Sequence, residues 1–160
     1  MIPTRGLAAL LVLSAVNLAL MVPGGLVETR NFPGYGVAVL AAFNLFLTLL
    51  GLGSLVLAYR VLRSGRGGAF SVLAGAAFMA VYLLDLATVF PIAAAPMSTT
   101  LAAMEWIGTV LGLATMAAGA WLAFAQGKQQ ARSSRLPLGL LIAMGVMTVA
   151  IVTFATLSAR

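Results

Sequence analysis

The chain has 160 residues, 62% of them hydrophobic and 8% charged, and a mean hydropathy of +1.12. A soluble domain carries about 45–50% apolar and about 25% charged residues, so nine Lys+Arg and three Asp+Glu leave too little charge to solvate such a surface. The absence of Cys and His excludes disulfides, thiolate or imidazole metal sites, Fe–S clusters and thiol or histidine catalysis, so no cofactor and no metal are expected.

Five apolar runs are long enough to cross a hydrocarbon core of about 30 Å at about 1.5 Å per residue. They read as one all-α bundle over residues 1–160, with spans at roughly 6–27, 37–59, 69–92, 100–126 and 137–158. The first follows Arg5 and holds Ser14 and Asn17. Its length and the lack of an A-x-A site argue for a span rather than a signal peptide. The segment PGGLVETRNFPGYG (23–36) follows, with Glu28, Arg30, Asn31 and Tyr35. Its four glycines match no phosphate-loop spacing and read as turn residues.

Span 2 puts Asn44, Thr48 and Gly51 in one row, and YRVLRSGRGG (59–68) separates it from span 3. In span 3, Ser71, Gly75, Phe78, Tyr82 and Asp85 share a helical face that Thr88 continues. PIAAAPMSTT (91–100) leads into span 4, where Glu105, Gly108, Gly112, Thr115 and Gly119 step by three or four into a single stripe. Small residues on that stripe permit close approach of another helix. After GKQQARSSRLP (127–137), span 5 offers only Gly145, Thr148 and Thr156, and reads as a scaffold or partner-facing helix. Pro23 and Pro91 fit helix ends and Pro137 a first turn. Tyr59, Trp106 and Trp121 fit aromatic belts, and the scattered Met fit packing.

Lys and Arg in short loops set orientation. Arg5, Arg60, Arg63, Arg66, Lys128, Arg132 and Arg135 fall on one side, against Arg30 and Arg160 on the other. The N-terminus is therefore expected in the cytoplasm and the C-terminus outside, in a multi-pass protein of the cell membrane. The +6 net charge needs no nucleic acid, since orientation and contact with anionic headgroups of the bilayer account for it.

With that orientation Glu28, Asp85 and Glu105 all lie toward the outer side. Asn17 and Asn44 sit at a similar depth, roughly 7–12 Å below the surface by the helical rise. A carboxylate in the bilayer costs about 2.5–3.5 kcal/mol at the centre, so it faces a cavity or a partner. Asp85, Glu105, Asn17, Asn44 and Tyr82 are thus expected to line an extracytoplasmic-facing pocket, with Glu28 and Arg30 as its gate. Such a pocket binds or transports a small solute, a cation or a proton. An alternative is that Arg30 pairs with these acids and pins the loop, so that the polar layer is a helix–helix interface. A separate alternative is an accessory or assembly subunit of a larger membrane complex, or a homo-oligomer, in which the polar layer meets another chain. An intramembrane enzyme is the least supported reading, because only carboxylates and tyrosine remain for acid–base work.

Overall fold

A computed structural model of the chain describes residues 4–126 and 138–159. Lys128, Arg132, Arg135, Pro137 and Arg160, which contribute to the expected orientation and helix ends, lie outside the described residues. The regular structure is all-helical among the described residues: α1 (Thr4–Leu20), α2 (Val37–Ser64), α3 (Gly68–Leu86), α4 (Thr99–Gln126) and α5 (Leu138–Ser158). Each helix falls on one of the five apolar runs. By length and composition α2, α3 and α4 could each cross a membrane, whereas α1 and the Ile142–Ser158 stretch of α5 are apolar but shorter. With 17 residues, α1 is roughly 25 Å long.

Three helix ends depart from the apolar runs, and each has a backbone reason. Span 1 was expected to reach residue 27, but α1 stops at Leu20 and the chain turns through Pro23 and Gly24, whose φ of 77° is left-handed. Proline interrupts the helical ladder, and glycine accepts the turn without a Cβ clash. The third helix stops at Leu86 instead of 92, where the amide nitrogens of Ala87, Thr88 and Val89 fold back onto Leu83, Asp85 and Leu84 carbonyls. Thr88, at φ 53°, is exposed and off the α3 face; a cis Phe90–Pro91 bond follows. By contrast α2 runs past residue 59 to Ser64, since Arg60 and Arg63 are good helix formers. It ends at Gly65, in the left-handed conformation with its N–H on the Val61 carbonyl.

The most extensive interface joins α3 to α4. It is built on glycine: a Cβ at Gly75 would lie 2.5 Å from Met116 N and 2.6 Å from the Gly112 carbonyl oxygen. A Cβ at Gly119 would lie 2.8 Å from Val72 N. The expected faces meet there, with Ser71, Gly75, Phe78, Tyr82 and Asp85 buried on α3, and Glu105, Gly108, Gly112, Thr115 and Gly119 buried on α4. Helix α1 packs on α2 and α4, and its Ser14 hydroxyl lies 3.5 Å from that of Thr115. The outward faces carry large apolar side chains, among them Leu13, Phe46, Leu73, Val110 and Phe124.

Helix α5 docks chiefly on α2. Asn44 Nδ2 donates to the Thr156 hydroxyl at 3.2 Å, the one side-chain hydrogen bond between these two helices among the described residues. Gly145 is exposed, away from the bundle. Replacing Thr156 with Val should loosen α5 by about 0.6 kcal/mol, the average for such bonds within membranes. Faster hydrogen exchange in residues 145–158 than in α4 would register it, and an unchanged rate would mean that apolar packing alone seats the helix.

Candidate functional site

The segment between α1 and α2, residues 21–36, folds over one end of the bundle as a cap. Backbone bonds tie it down: Gly24 N–H to the Glu28 carbonyl at 3.1 Å, Phe32 N–H to the Ala159 carbonyl at 3.0 Å, and Ala94 N–H to the Asn31 carbonyl at 3.0 Å. The Tyr35 hydroxyl accepts from Ile92 N–H at 3.0 Å. Phe90 stands edge-on between the rings of Tyr35 and Phe43, at 5.3 and 4.9 Å.

Beneath the cap the three acids of the chain converge. Glu28, Arg30, Asp85 and Glu105 are 4%, 7%, 6% and 3% exposed. Arg30 Nη2 donates to Glu28 Oε2 at 2.5 Å and to Asp85 Oδ2 at 2.7 Å. Its Nε donates to Glu28 Oε1 at 3.0 Å and its Nη1 to Asp85 Oδ1 at 3.3 Å. The Arg30 amide N–H also reaches Glu28 Oε1, at 2.8 Å, so the loop backbone holds the same carboxylate. A planar guanidinium is suited to two carboxylates in this forked geometry. Burial alone would ease the proton off Arg30, but the bonds and charges of Glu28 and Asp85 outweigh it and hold the group above its ordinary pKa. Arg30 is therefore a permanent cation.

One guanidinium cannot balance three carboxylates. Glu105, on α4, is the acid left over, and its Oε2 is buried with no hydrogen-bond partner among the described residues. That side chain borders a cavity of about 50 Å³, also lined by Glu28, Asp85, Tyr82, Asn44 and Met21. Behind it, Asn17 Nδ2 donates to the Met104 carbonyl and to the Tyr82 hydroxyl, both at 3.2 Å. Since a carbonyl only accepts, the amide nitrogen must face α4, and the Tyr82 hydroxyl is an acceptor from Asn17 with its own proton still to give. Gly108 makes room for this: a Cβ there would collide with the Tyr82 ring. No group of three acidic side chains is disposed to hold a metal ion among the described residues.

Of the seven residues expected in the site, Glu28, Asp85, Glu105, Tyr82 and Asn44 border the chamber together. Asn17 supports Tyr82 from behind, and Arg30 clamps two of the acids. The expected gate of Glu28 and Arg30 is thus a buried ion pair that closes on Asp85.

A family model described as a domain of unknown function (DUF8051) matches residues 3–135. The chain belongs to the DUF8051 family. The match takes in α1 to α4 and all four charged groups of the chamber, while α5 lies beyond it. No curated protein and no solved structure matches the chain. In this DUF8051 protein the apolar part of the chamber wall (Phe32, Leu40, Phe43, Pro91 and Ala159) escaped sequence reasoning. Nothing in an apolar side chain's identity separates a chamber wall from ordinary packing. Thr156 was read only as one of the few polar groups of span 5; its sequence spacing gives no hint of Asn44 as its partner.

Proposed function

We propose that the protein is a multi-pass membrane protein of the cell membrane, N-terminus in the cytoplasm, whose capped acidic chamber faces the extracytoplasmic side and binds a proton or a small cation. The apolar outward faces support insertion into lipid, and the acids and the described arginines Arg5, Arg60, Arg63 and Arg66 stand toward opposite ends of the helices. The observation that carries the binding reading is the buried Glu105 carboxylate at the edge of the chamber, whose Oε2 has no hydrogen-bond partner among the described residues. With Arg30 committed to Glu28 and Asp85, a third buried carboxyl beside them calls for a proton or a cation from outside the chain. Size limits the choice. A water needs about 10–15 Å³ of such volume, so about 50 Å³ admits a few waters or an ammonium-sized ion, not a bulky solute head.

The test uses the full chain in lipid nanodiscs, with infrared difference spectra across pH and binding of labelled methylamine as readouts. The wild-type protein should show a titrating carboxylic acid band and bind methylamine. Glu105→Gln should lose the band and weaken the amine by about tenfold or more, which corresponds to about 1.4 kcal/mol or more. Unchanged spectra and binding in a folded variant would remove Glu105 from the role.

A second reading, an accessory subunit of a larger membrane complex, is favoured by α5, which docks chiefly on α2 and turns Val146, Met147, Val149 and Phe154 outward. Native mass spectrometry from the source membrane separates the readings: a stoichiometric second polypeptide supports the subunit.

A further inference from the structure

The chamber shares a wall with a second cavity. Between α1, α2 and α5 lies an apolar slot of about 160 Å³, and Leu18, Met21, Pro23, Asn44 and Leu47 line both. Val16 and Leu55, also in the slot lining, are exposed on the outward apolar surface, so the slot opens sideways, where the surrounding lipid would be. Its two side-chain polar groups are those of Asn44 and Thr48. The Thr48 hydroxyl proton is spent on the Asn44 carbonyl, 2.7 Å away, and one N–H of the Asn44 amide is spent on Thr156. What remains at the shared wall is the Asn44 side-chain amide, with its oxygen as an acceptor and its second N–H as a neutral donor, and Glu105 lines the chamber beyond it.

From this juxtaposition we propose that the slot and the chamber form one amphiphile site that takes a lipophilic primary amine, its ammonium beside Glu105 and its alkyl chain between α1, α2 and α5. The inference rests on the reading of the chamber as a cation site. Three carboxylates face one guanidinium here, so the head must bring positive charge; the Tyr82 hydroxyl proton and the second Asn44 N–H are neutral donors that leave the surplus negative charge standing, and a carboxylate or phosphate head would meet like charge. The tail follows from volume. An apolar protein cavity of about 150 Å³ accommodates benzene, so a slot of about 160 Å³ accepts about six carbons. Tail-first access through the lipid also leaves the ion-paired cap intact.

The full chain in phosphatidylcholine nanodiscs, with empty discs as background, is titrated with labelled octylamine, methylamine and octanol. Octylamine should bind saturably and about tenfold or more tighter than methylamine, while octanol shows no saturable binding. Gly51→Leu fills the slot, since a Cβ at Gly51 meets only Leu18 Cδ2, at 3.7 Å. It should erase the octylamine advantage and leave methylamine binding unchanged. Ala19→Phe, at an exposed position in the slot lining, provides the same block if Gly51→Leu does not fold. Equal affinity for the two amines, or an advantage that survives both blocks, overturns the amphiphile site while the cation chamber stands. Loss of neither amine in Glu105→Gln, or no saturable amine at all, overturns both.

Discussion

Gly75→Leu should abolish the native packing of α3 against α4. The nearest atoms to a new Cβ at Gly75 are backbone, Met116 N and the Gly112 carbonyl oxygen at 2.5 and 2.6 Å, and backbone cannot rotate aside as a side chain can. Overpacking a core costs about 1–3 kcal/mol where side chains yield, so a clash between two helix backbones should cost about 3 kcal/mol or more. Because α3 and α4 carry Asp85 and Glu105, the same substitution should also dismantle the chamber. Thermal unfolding in mild detergent should show a large fall in midpoint, and Gly53→Leu is the matched control, since a Cβ at Gly53 meets nothing within 4 Å. If Gly75→Leu unfolds no earlier than Gly53→Leu, the close glycine crossing does not hold the bundle together.

Removing Arg30 should be nearly as damaging, for an electrostatic reason. Arg30→Met leaves Glu28 and Asp85 buried beside Glu105 with no cation among them, and breaking a buried pair by deleting one partner costs about 3–5 kcal/mol. Much of that loss is the stranded negative charge rather than the lost bonds. The quadruple variant Arg30→Met, Glu28→Gln, Asp85→Asn, Glu105→Gln should therefore recover a substantial part of the stability, although it removes still more of the native hydrogen bonds. Unfolding midpoints of the two variants decide this. Equal midpoints would show that the clamp acts by geometry alone.

Sequence periodicity reached some of these features directly. The α3 and α4 faces were legible because steps of three and four residues return to one side of a helix, and a rare acid among apolar residues marks the side that avoids lipid. The common depth of Asp85 and Glu105 followed from their positions in spans 3 and 4, but not whether they face each other, since helix order around the bundle is not encoded in span spacing. Helix ends at Leu20 and Leu86 were not legible, because apolar composition continues into the turns after both, and hydropathy reports solvent preference rather than backbone path. Nor could the chain order reveal which acids Arg30 would take. With Glu28 two residues away and Asp85 across the bundle, the pairing depends on how the helices are arranged around one another, which no spacing within a helix encodes. The same holds for the slot beside α5, where two apolar surfaces fail to meet completely.

The cap also imposes an order on biogenesis. Its partners arrive late: Asp85 is made 55 residues after Arg30, and Ala159, whose carbonyl holds Phe32, follows α5. At about 5–20 residues per second during synthesis, the segment around Glu28 and Arg30 waits several seconds for its clamp. Until α3 emerges, Arg30 has only the neighbouring Glu28 to pair with, and the wall contributed by Ala159 is missing until α5 has been made. A nascent chain stalled after α4 would therefore display an unfinished acidic lumen, and quality-control proteases would meet it in that form.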